Sequence, residues 1–345
     1  MRIVQIIDSL EPGGAEKMAV SYANALSKRI GFSGLVATRN EGNLKSFLDE
    51  NTNYLFLNKK KTFDFIAFKR LYKYLKNNKI QIIQAHSSSI FVAVLMKLFL
   101  PKLKIIWHDH YGKPVQDREH KFLLRWISLF FSGIIVVNNE LKHWAEKNTF
   151  CKKIIQLNNF VTENKIEKSD VQLFGNSGKR ILCLANFRKQ KNQLLLIEVA
   201  KLINQKFPDW TFHLVGKNVE NNYFQEVENK ILKYNLQNNI FCYNSSTDVF
   251  SIIKQSEIAV LSSFSEGLPV ALLEYGLCSK PVIVTAVGEI PKIINKSNGI
   301  LVASNDTEDF VNQLEILILN PEKRTLLGAN LYKTISTNFT ENAVI

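Results

Sequence analysis

Two carboxylates in one short stretch are the residues best suited to chemistry in the second half of the chain. Residues 262–285 read SSFSEGLPVALLEYGLCSKPVIVT, in which Glu266 and Glu274 are separated by seven residues. If Pro269 occupies the first turn of a helix, where proline is tolerated, Glu266 lies in the loop before that helix and Glu274 projects from within it. Because carboxylates accept hydrogen bonds from hydroxyl groups, we expect a sugar at Glu266 and a ribose at Glu274.

A basic loop precedes another predicted helix, Gln193–Ile203, and contains Arg188, Lys189 and Lys191. Three cations in four residues beside a helix N-terminus favour a diphosphate, which needs compact positive charge and amide donors. The backbone amides of Gly267 and Leu268 and of the residue after Pro269 are further candidate donors to phosphate oxygens. A solvated basic loop is the alternative interpretation.

In the first half, a glycine pair and a histidine pair follow predicted strands. Gly13 and Gly14 come between a strand and a helix, where backbone amides can approach an anion or a sugar. His108 and His110 follow another strand, a position from which histidine can donate a hydrogen bond or move a proton near pH 7. A zinc site would need a third ligand, and His86 is the only histidine placed to supply it; a structural role is the other alternative.

The elements that position these residues alternate between short β-branched runs and longer amphipathic stretches. This pattern is typical of βα units around parallel sheets, and we predict two doubly wound α/β domains. Residues 161–179 are polar and aperiodic, as expected of a linker. Ligands of such sheets bind at the carboxyl ends of the strands, so the cleft between the domains is the expected site. The predicted strands are 3–7, 34–37, 54–57, 81–84, 104–107, 134–137, 154–157, 180–185, 211–215, 239–243, 258–262, 282–285 and 300–302.

Composition excludes several classes of protein. The 345 residues are 46% hydrophobic and 22% charged, which is ordinary for a globular chain and excludes collagen-like and low-complexity proteins. The 4 cysteines form no Cys-x-x-Cys pair, so reduced thiols in a cytosolic protein are expected. The N-terminal residues run directly into a strand pattern, and no export signal is predicted.

Charge divides the chain unevenly. Residues 1–165 contain 26 Lys and Arg against 13 Asp and Glu, whereas residues 166–345 contain 18 of each. The excess predicts that the first half meets a polyanion: anionic lipid, nucleic acid or a phosphorylated substrate. A merely solubilising surface is the alternative, and no helix-turn-helix, zinc-finger or RNP pattern supports nucleic acid.

The most apolar window, residues 122–137, is too short for a membrane span, which takes about 20 apolar residues. It predicts a helix through Phe131, a turn at Ser132 and Gly133, and a buried strand. With residues 91–100, Lys102 and Lys104, it could offer aromatic and basic groups to a membrane surface; a core-facing helix is the alternative.

Taken in order, these motifs resemble those of family 4 glycosyltransferases of the GT-B architecture, and the resemblance covers nearly the whole chain. The matching features are Gly13-Gly14-Ala15-Glu16, His108, Arg188 with Lys191, Glu266-Gly267-Leu268-Pro269, the pair Glu266 and Glu274, Lys280-Pro281-Val282, Gly288-Glu289-Ile290-Pro291 and Asn298-Gly299-Ile300-Leu301-Val302.

The resemblance implies a retaining, metal-independent transfer of a sugar from a nucleotide diphosphate donor, UDP- or GDP-linked, to an acceptor hydroxyl. Lys191 and Arg188 would neutralise the leaving diphosphate, and no Asp-x-Asp triplet is present to hold a metal. Glu266 and His108 would contact the donor sugar and Glu274 the ribose. Gly267, Leu268 and Pro269 would complete the donor site, and Gly13, Gly14, His108 and His110 would lie on the acceptor side.

It also implies a division of labour between domains. Residues 1–165 would form the acceptor-binding domain, 166–325 the nucleotide-sugar domain, and 326–345 a segment that returns toward the first domain. The expected acceptor is a glycan or lipid-linked molecule in cell-surface polysaccharide assembly, reached from the cytoplasmic side of a membrane through the basic half. The alternatives are a sugar-nucleotide epimerase of the same architecture and an inactive nucleotide-sugar-binding protein.

Overall fold

Short aliphatic and β-branched runs form parallel strands in both halves of the chain, because strands covered on both faces need apolar side chains throughout. The structure is a computed structural model that describes residues 1–110, 121–162 and 171–345. It divides into two units, Met1–Asn159 together with Ile345, and Phe160–Val344. The predicted linker lies partly outside the described residues, since its residues 163–170 are not among them.

The first unit contains a seven-stranded parallel sheet of order β3-β2-β1-β4-β5-β6-β7. Its strands are β1 Arg2–Ser9, β2 Phe32–Asn40, β3 Asn53–Phe56, β4 Ile82–His86, β5 Lys104–Asp109, β6 Gly133–Val136 and β7 Ile154–Gln156. Its helices are α1 Gly14–Ser27, α2 Phe65–Asn77, α3 Ile90–Phe99, α4 Lys121–Ile127 and α5 Asn139–Asn148.

The second unit contains a six-stranded parallel sheet of order β10-β9-β8-β11-β12-β13. Its strands are β8 Arg180–Leu184, β9 Thr211–Val215, β10 Ile240–Tyr243, β11 Ile258–Leu261, β12 Val282–Thr285 and β13 Ile300–Val302. Its helices are α6 Gln193–Lys206, α7 Asn221–Lys233, α8 Val249–Lys254, α9 Val270–Leu277, α10 Ile290–Ile293, α11 Thr307–Leu319, α12 Pro321–Asn338 and α13 Glu341–Val344.

Both sheets follow the doubly wound pattern, so the prediction of two such α/β domains is confirmed. Every predicted strand is present, with ends that differ by a few residues from those expected. In each sheet the chain starts in the middle, winds to one edge and then returns to the other side. The reversal falls between β1 and β4 and between β8 and β11, where a crevice forms at the carboxyl ends.

The two faces of the first sheet differ in chemistry. One face packs against apolar residues of α2, α3, α4 and α5, and includes Ile83, Ile105 and Trp107 of the strands. The other face packs against α1 through a smaller apolar cluster with Ile7 and Leu35. The opposite pointing of successive strand residues puts Gln5, whose partner on β2 is Leu35, on this second face. The α1 face therefore has room for polar side chains.

The apolar window of the sequence analysis forms the elements predicted for it. Helix α4 continues as a 3₁₀ turn over Ser128–Phe130 and is followed by β6. Leu124 faces the core, whereas Phe122, Leu123 and Trp126 are exposed. Among the described residues, no helix has both the length and the apolar character that a membrane span requires.

Helix α12 packs closely on α9 in the second unit. A Cβ added to Gly276 of α9 would lie 2.3 Å from Ile335 Cγ1 of α12, so only glycine allows this approach. Leu331 and Ile335 of α12 are fully buried in the same cluster as Leu272, Leu273 and Tyr275 of α9. The predicted return of residues 326–345 toward the first domain stays a prediction.

Candidate functional site

The reversal point of the second sheet brings together the loops that follow β8 and β11. After β8 the chain forms a 3₁₀ turn over Lys189–Lys191, with Arg188 as its N-terminal cap and Asn192 in the left-handed region at φ 50°. Asparagine tolerates this conformation better than most residues. The turn leads directly into α6, so its cations lie next to a helix N-terminus, as the sequence predicts.

Several hydrogen bonds hold the two loops against each other. Ser262 Oγ lies 3.0 Å from the carbonyl oxygen of Lys191 and 2.9 Å from that of Asn192. Gln190 donates from Nε2 to the Ser265 carbonyl at 2.7 Å, and its own carbonyl accepts from the amide of Phe264 at 2.8 Å. The basic turn and the carboxylate loop are therefore one connected piece of structure.

Lys191 and Glu266 meet in an ion pair at this point. Lys191 Nζ lies 2.6 Å from Glu266 Oε1 and 2.8 Å from Oε2, and Ser263 Oγ donates to Oε1 at 2.6 Å. The Glu266 side chain is 5% exposed and that of Lys191 22%. Removing one partner of such a partly buried pair is destabilising, because the other charge is left without its counterion. A basic turn and a carboxylate predicted separately thus form one site.

A third loop supports the carboxylate loop from the other side. Gly288 has φ 59°, and a Cβ there would lie 1.9 Å from the Glu266 carbonyl oxygen, so only glycine fits. The Glu289 amide donates to the Gly267 carbonyl at 3.1 Å, and Thr285 Oγ1 donates to the Ser263 carbonyl at 2.7 Å. The backbone around Glu266 is held on both sides.

Glu274 lies in the second turn of α9 and is buried, 4% exposed, as is Leu268 at 3%. Pro269 is the N-terminal cap of the helix with ψ 123°, not a residue of its first turn. The prediction that Pro269 starts the helix was wrong by one position, because the fixed φ of proline is compatible with both extended and helical backbone. The predicted positions of Glu266 before the helix and Glu274 inside it are unaffected.

Arg188 is half-buried at the start of the basic turn. Its Nε is buried and has no hydrogen-bond partner within the described parts of the chain. A buried donor without a partner is costly, so the guanidinium is a candidate for contact with a ligand oxygen. Arg188 and Lys191 stand at the two ends of one turn.

In the first unit the predicted glycines lie at the start of α1. Gly13 is the extended N-terminal cap, with φ −166°, and Gly14 is the first helical residue. Tyr22 of the same helix packs edge-on against His108, with 5.3 Å between ring centroids. Helix α1 therefore covers the histidine that the sequence analysis selects.

His108 belongs to a buried cluster of three histidines. His86 ends β4 beside His108 on β5, and His110 follows β5 directly. His86 Nδ1 lies 2.9 Å from His110 Nε2, and the rings of His108 and His110 lie 4.0 Å apart between centroids. Burial lowers the pKa of His86 and His108 well below the usual 6.5 and that of His110 to about 3. The three imidazoles are neutral at pH 7.

Two glutamines that the sequence analysis did not select join this cluster. Gln5 of β1 pairs in register with Gln84 of β4, and both are buried. His86 Nε2 lies 2.8 Å from Gln5 Oε1, and Gln84 Nε2 lies 3.0 Å from His108 Nδ1. The available signal was a polar residue inside an apolar strand, and Gln84 and His86 two residues apart on one face.

A metal ion is the other chemistry that three histidines offer. Within the described residues, His86, His108 and His110 are the group of candidate ligands close enough to hold one, with ligand atoms within 4.8 Å of one another. Neutral imidazole nitrogens suit zinc, copper, iron and nickel. These rings already make hydrogen bonds to one another and to the two glutamines, and those bonds compete with binding of a metal ion.

Comparison with known proteins agrees with the fold and the motifs. The family described as "Glycosyltransferase Family 4" matches residues 12–164, and the one described as "Glycosyl transferases group 1" matches residues 164–334. The chain therefore belongs to the family 4 glycosyltransferases. Its two Rossmann-like units are those of the GT-B fold, and the protein is a glycosyltransferase.

Individual relatives are similar over most of their length. The UDP-Gal:alpha-D-GlcNAc-diphosphoundecaprenol alpha-1,3-galactosyltransferase of Escherichia coli is 26% identical, over 86% of this chain and 85% of the relative. The amylovoran biosynthesis glycosyltransferase AmsD of Erwinia amylovora is 26% identical, over 76% and 74%. The structure of Anabaena Alr3699/HepE in complex with UDP and glucose has a TM-score of 0.81 and 17% identity, covering 100% of this chain and 97% of that one.

Proposed function

We propose that this protein is a retaining glycosyltransferase that moves a sugar from a UDP- or GDP-linked donor to a hydroxyl of a glycan or lipid-linked acceptor in cell-surface polysaccharide assembly. The observation that carries the proposal is the contact of Lys191 with Glu266 at the reversal point of the second sheet. The two groups that a sugar diphosphate needs, a cation for phosphate and a carboxylate for hydroxyls, stand side by side there.

In the proposed reaction the bond between the sugar's anomeric carbon and the phosphate oxygen breaks, and the acceptor oxygen bonds to the same face of that carbon. The acceptor's proton leaves with the nucleoside diphosphate. Negative charge grows on the diphosphate in the transition state, and Lys191 and Arg188 would stabilise it. Such prepositioned charge is commonly the largest catalytic contribution. We propose that these cations act without a metal ion.

The ion pair constrains how a donor enters. Lys191 Nζ is bonded to both oxygens of Glu266, so a diphosphate must share this cation with the carboxylate or draw it away. Glu266 keeps its hydrogen bond from Ser263 when the lysine moves, and its freed oxygen can accept from a sugar hydroxyl. The site therefore exchanges one set of charge contacts for another when the donor binds.

The start of α9 would hold the rest of the donor. Glu274 is buried inside the helix, where a carboxylate can accept hydrogen bonds from both ribose hydroxyls. Gly267, Leu268 and Pro269 lie at the helix N-terminus, where the helix dipole favours negative charge. In the first unit, His108 would donate to the donor sugar, and Gly13, Gly14 and His110 would lie toward the acceptor.

The relatives support the choice of substrates. The Escherichia coli relative is named for a UDP-linked galactose donor and a diphosphoundecaprenol-linked acceptor, and the Erwinia relative for amylovoran biosynthesis. The Anabaena structure contains UDP and glucose. These names favour a UDP-sugar over a GDP-sugar and a lipid-linked acceptor over a free glycan.

We further propose that the first unit binds the inner face of the cytoplasmic membrane. Phe122 and Trp126 are 75% and 51% exposed, and Trp126 packs against the exposed Phe150, with 5.7 Å between ring centroids. Arg125 stands 4.8 Å above the ring of Phe150. Exposed aromatic groups beside cations suit an anionic lipid surface. The excess of basic residues in this half adds positive charge that would attract the same surface.

Vesicle sedimentation tests the membrane proposal. The wild type should bind phosphatidylglycerol vesicles at low salt and release them at high salt. Phe122→Ser with Trp126→Ala should weaken this binding about tenfold, whereas Leu319→Ala, which removes an exposed apolar residue of the second unit, should not. No binding to anionic vesicles even at low salt would contradict the proposal.

A donor screen tests the transfer itself. UDP-, GDP- and ADP-sugars are added with EDTA to the wild type, to Lys191→Ala and to a control, Lys206→Ala, whose lysine forms an exposed ion pair. We expect thermal stabilisation and slow hydrolysis with a UDP-sugar in the wild type and the control, and neither in Lys191→Ala. An isomerised donor without acceptor would favour the epimerase, and no response to any nucleotide sugar would contradict the proposal.

A further inference from the structure

Five buried or half-buried polar side chains on the α1 face of the first sheet form one continuous hydrogen-bonded chain. In order, the chain runs from His110 through His86, Gln5 and Gln84 to His108. The four contacts measure 2.9, 2.8, 3.3 and 3.0 Å in that order. His108 stands at one end, and its Nε2 is buried without a hydrogen-bond partner among the described residues.

The hydrogen bonds along this series of side chains can run in only two directions. A neutral imidazole has one N–H and one lone pair, and a glutamine amide has one donor side and one acceptor side. Turning over the amide of Gln84 alone would set two NH₂ groups face to face, and turning over Gln5 alone would set two oxygens face to face. Both amides must therefore point the same way along the chain.

Each direction fixes the proton on both end histidines. In the direction that the structure has, His110 donates to His86, His86 to Gln5, Gln5 to Gln84 and Gln84 to His108 Nδ1. His108 then carries its proton on Nε2. In the reverse direction its proton lies on Nδ1, and Nε2 is a bare lone pair.

This connectivity opposes a shared metal ion. In the first direction His86 Nδ1 has a lone pair while His108 Nε2 is protonated, and in the second direction these roles are exchanged. Of the three rings, Nδ1 of His110 has the one lone pair that the hydrogen bonds leave unused in the first direction, and Nε2 of His108 has it in the second. A second ligand therefore requires loss of at least one of these hydrogen bonds. Two of the three ligands cannot face a metal together while the chain is intact.

We propose that Gln84, oriented by Gln5, is a positioning residue that fixes His108 as its Nε2–H tautomer, so that a neutral N–H donor faces an oxygen of the bound donor substrate. Burial independently keeps His108 uncharged, because it lowers the pKa of the imidazole well below 6.5 and the neighbouring His110 and His86 lower it further. An N–H donor can bond to a hydroxyl oxygen or a phosphate oxygen, whereas a bare lone pair could only accept from a hydroxyl and would repel a phosphate oxygen. The substrate part of this inference rests on the proposed function; the tautomer does not.

Nitrogen-15 NMR of histidine-labelled protein, without substrate, tests the tautomer directly. Long-range proton–nitrogen spectra should show a protonated Nε2 and an unprotonated Nδ1 for His108 from pH 6 to 8. A protonated Nδ1 in the wild type would overturn the inference. Stoichiometric zinc should leave the spectra of His86, His108 and His110 unchanged; specific shifts of all three at one equivalent would overturn it as well.

Two variants at one position separate tautomer control from packing. In Gln84→Glu the carboxylate can only accept, so His108 must place a proton on Nδ1; in Gln84→Met the volume is kept and the hydrogen bond is lost. We expect Nδ1 protonation and a loss of turnover of about tenfold or more for Gln84→Glu, and a mixture of tautomers with a smaller loss for Gln84→Met. If the hydrogen bond mattered only for structure, the order of the two losses would be reversed.

The two readouts also distinguish the possible failures. The predicted tautomers together with unchanged turnover in Gln84→Glu would keep the tautomer assignment and overturn the role of His108 toward substrate. If Gln84→Glu does not fold, as judged by circular dichroism, the wild-type and Gln84→Met spectra still decide: equal tautomers in both would show that Gln84 does not set the proton.

Discussion

The candidate sites of the two units are built at equivalent places in similar sheets but use opposite electrostatics. In the second unit, Lys191 and Glu266 are charged and compensate each other. In the first unit, His86, His108 and His110 are neutral, and their protons are ordered by two amides. The first arrangement keeps charge available at a partly buried pair, and the second removes charge from side chains that are buried or half-buried.

The difference shows what each site can respond to. An ion pair rearranges when an anion arrives, because a third charge competes for the cation. A directional chain of neutral groups does not rearrange easily, because all its members must turn together. We therefore expect the ion pair of the second unit to rearrange when the charged nucleotide sugar binds. We expect the first unit to present an N–H group in a fixed orientation.

Lys191→Ala is expected to have the largest effect. Loss of one group that stabilises charge in the transition state lowers kcat about 10²–10³-fold. Steady-state kinetics with the donor found in the screen measures it, with Lys206→Ala as the control that should retain wild-type kcat. A raised KM with unchanged kcat would show that Lys191 binds the ground state and the transition state equally. The role assigned to the charged pair of the second unit would then be wrong.

Glu274→Gln is expected to come next and to affect donor binding more than turnover. The variant keeps the size of the side chain but removes the charge that strengthens hydrogen bonds to ribose hydroxyls, worth about 1.5–3 kcal/mol. Calorimetry should find a Kd for the nucleotide raised at least tenfold. Binding of inorganic diphosphate, which has no ribose, should be unchanged and serves as the internal control.

Acid should destabilise the first unit more steeply than the second. Burial lowers the pKa of His86 and His108 well below 6.5 and those of His110 and His213 to about 3. Because the unfolded histidines have a pKa of about 6.5, the unfolded chain binds more protons as pH falls. Stability present above pH 6.5 is lost below it, at about 1.4 kcal/mol per pH unit for each such histidine.

Three of these histidines belong to the first unit and one, His213, to the second, so the slopes should differ about threefold. Fluorotryptophan NMR during urea titration can follow each unit, since Trp210 lies in the second and Trp107, Trp126 and Trp144 in the first. Measurements between pH 5.5 and 7.5 avoid most carboxylate titration. Equal slopes in the two units would contradict buried neutral imidazoles in the first.

Ser263→Ala is expected to have the smallest effect of the four. It removes the hydroxyl that donates to Glu266 Oε1 at 2.6 Å while leaving the ion pair in place. Turnover should fall a few-fold, because the carboxylate loses one of the contacts that orient it. Ser262→Ala, which removes a bond between loops instead, is the matched comparison; if both variants kept wild-type kcat, loop order would not limit the reaction.

The strands of both sheets and the loops that form the site of the second unit could be predicted from sequence, because each depends on local patterns. Apolar runs gave the strands, and a strand followed by charged residues gave the basic turn and the loop of Glu266. The ion pair between them could not be predicted. Residues 191 and 266 are 75 positions apart, and their contact depends on β8 and β11 being neighbours at the reversal point of the sheet.

The histidine cluster could be predicted only in part for a different reason. His108 and His110 stand out by type, and His86 by its place after a strand, but Gln5 and Gln84 have no chemical signature of their own. Their role follows from register: Gln5 is the partner of Gln84, and His86 is the partner of His108. A one-residue shift in either pairing would put these side chains on opposite faces.

The packing of α12 on α9 has a practical consequence for dissecting the protein. Residue 276 is glycine because Ile335 occupies the space where a side chain would be, and Glu274 lies two residues before it on the same helix. A fragment designed to contain only the second unit must therefore extend through Asn338, the last residue of α12. A fragment that stops at the end of α11 would expose the buried face of α9 to water. Loss of binding by such a fragment would then report unfolding and not a change in the binding site.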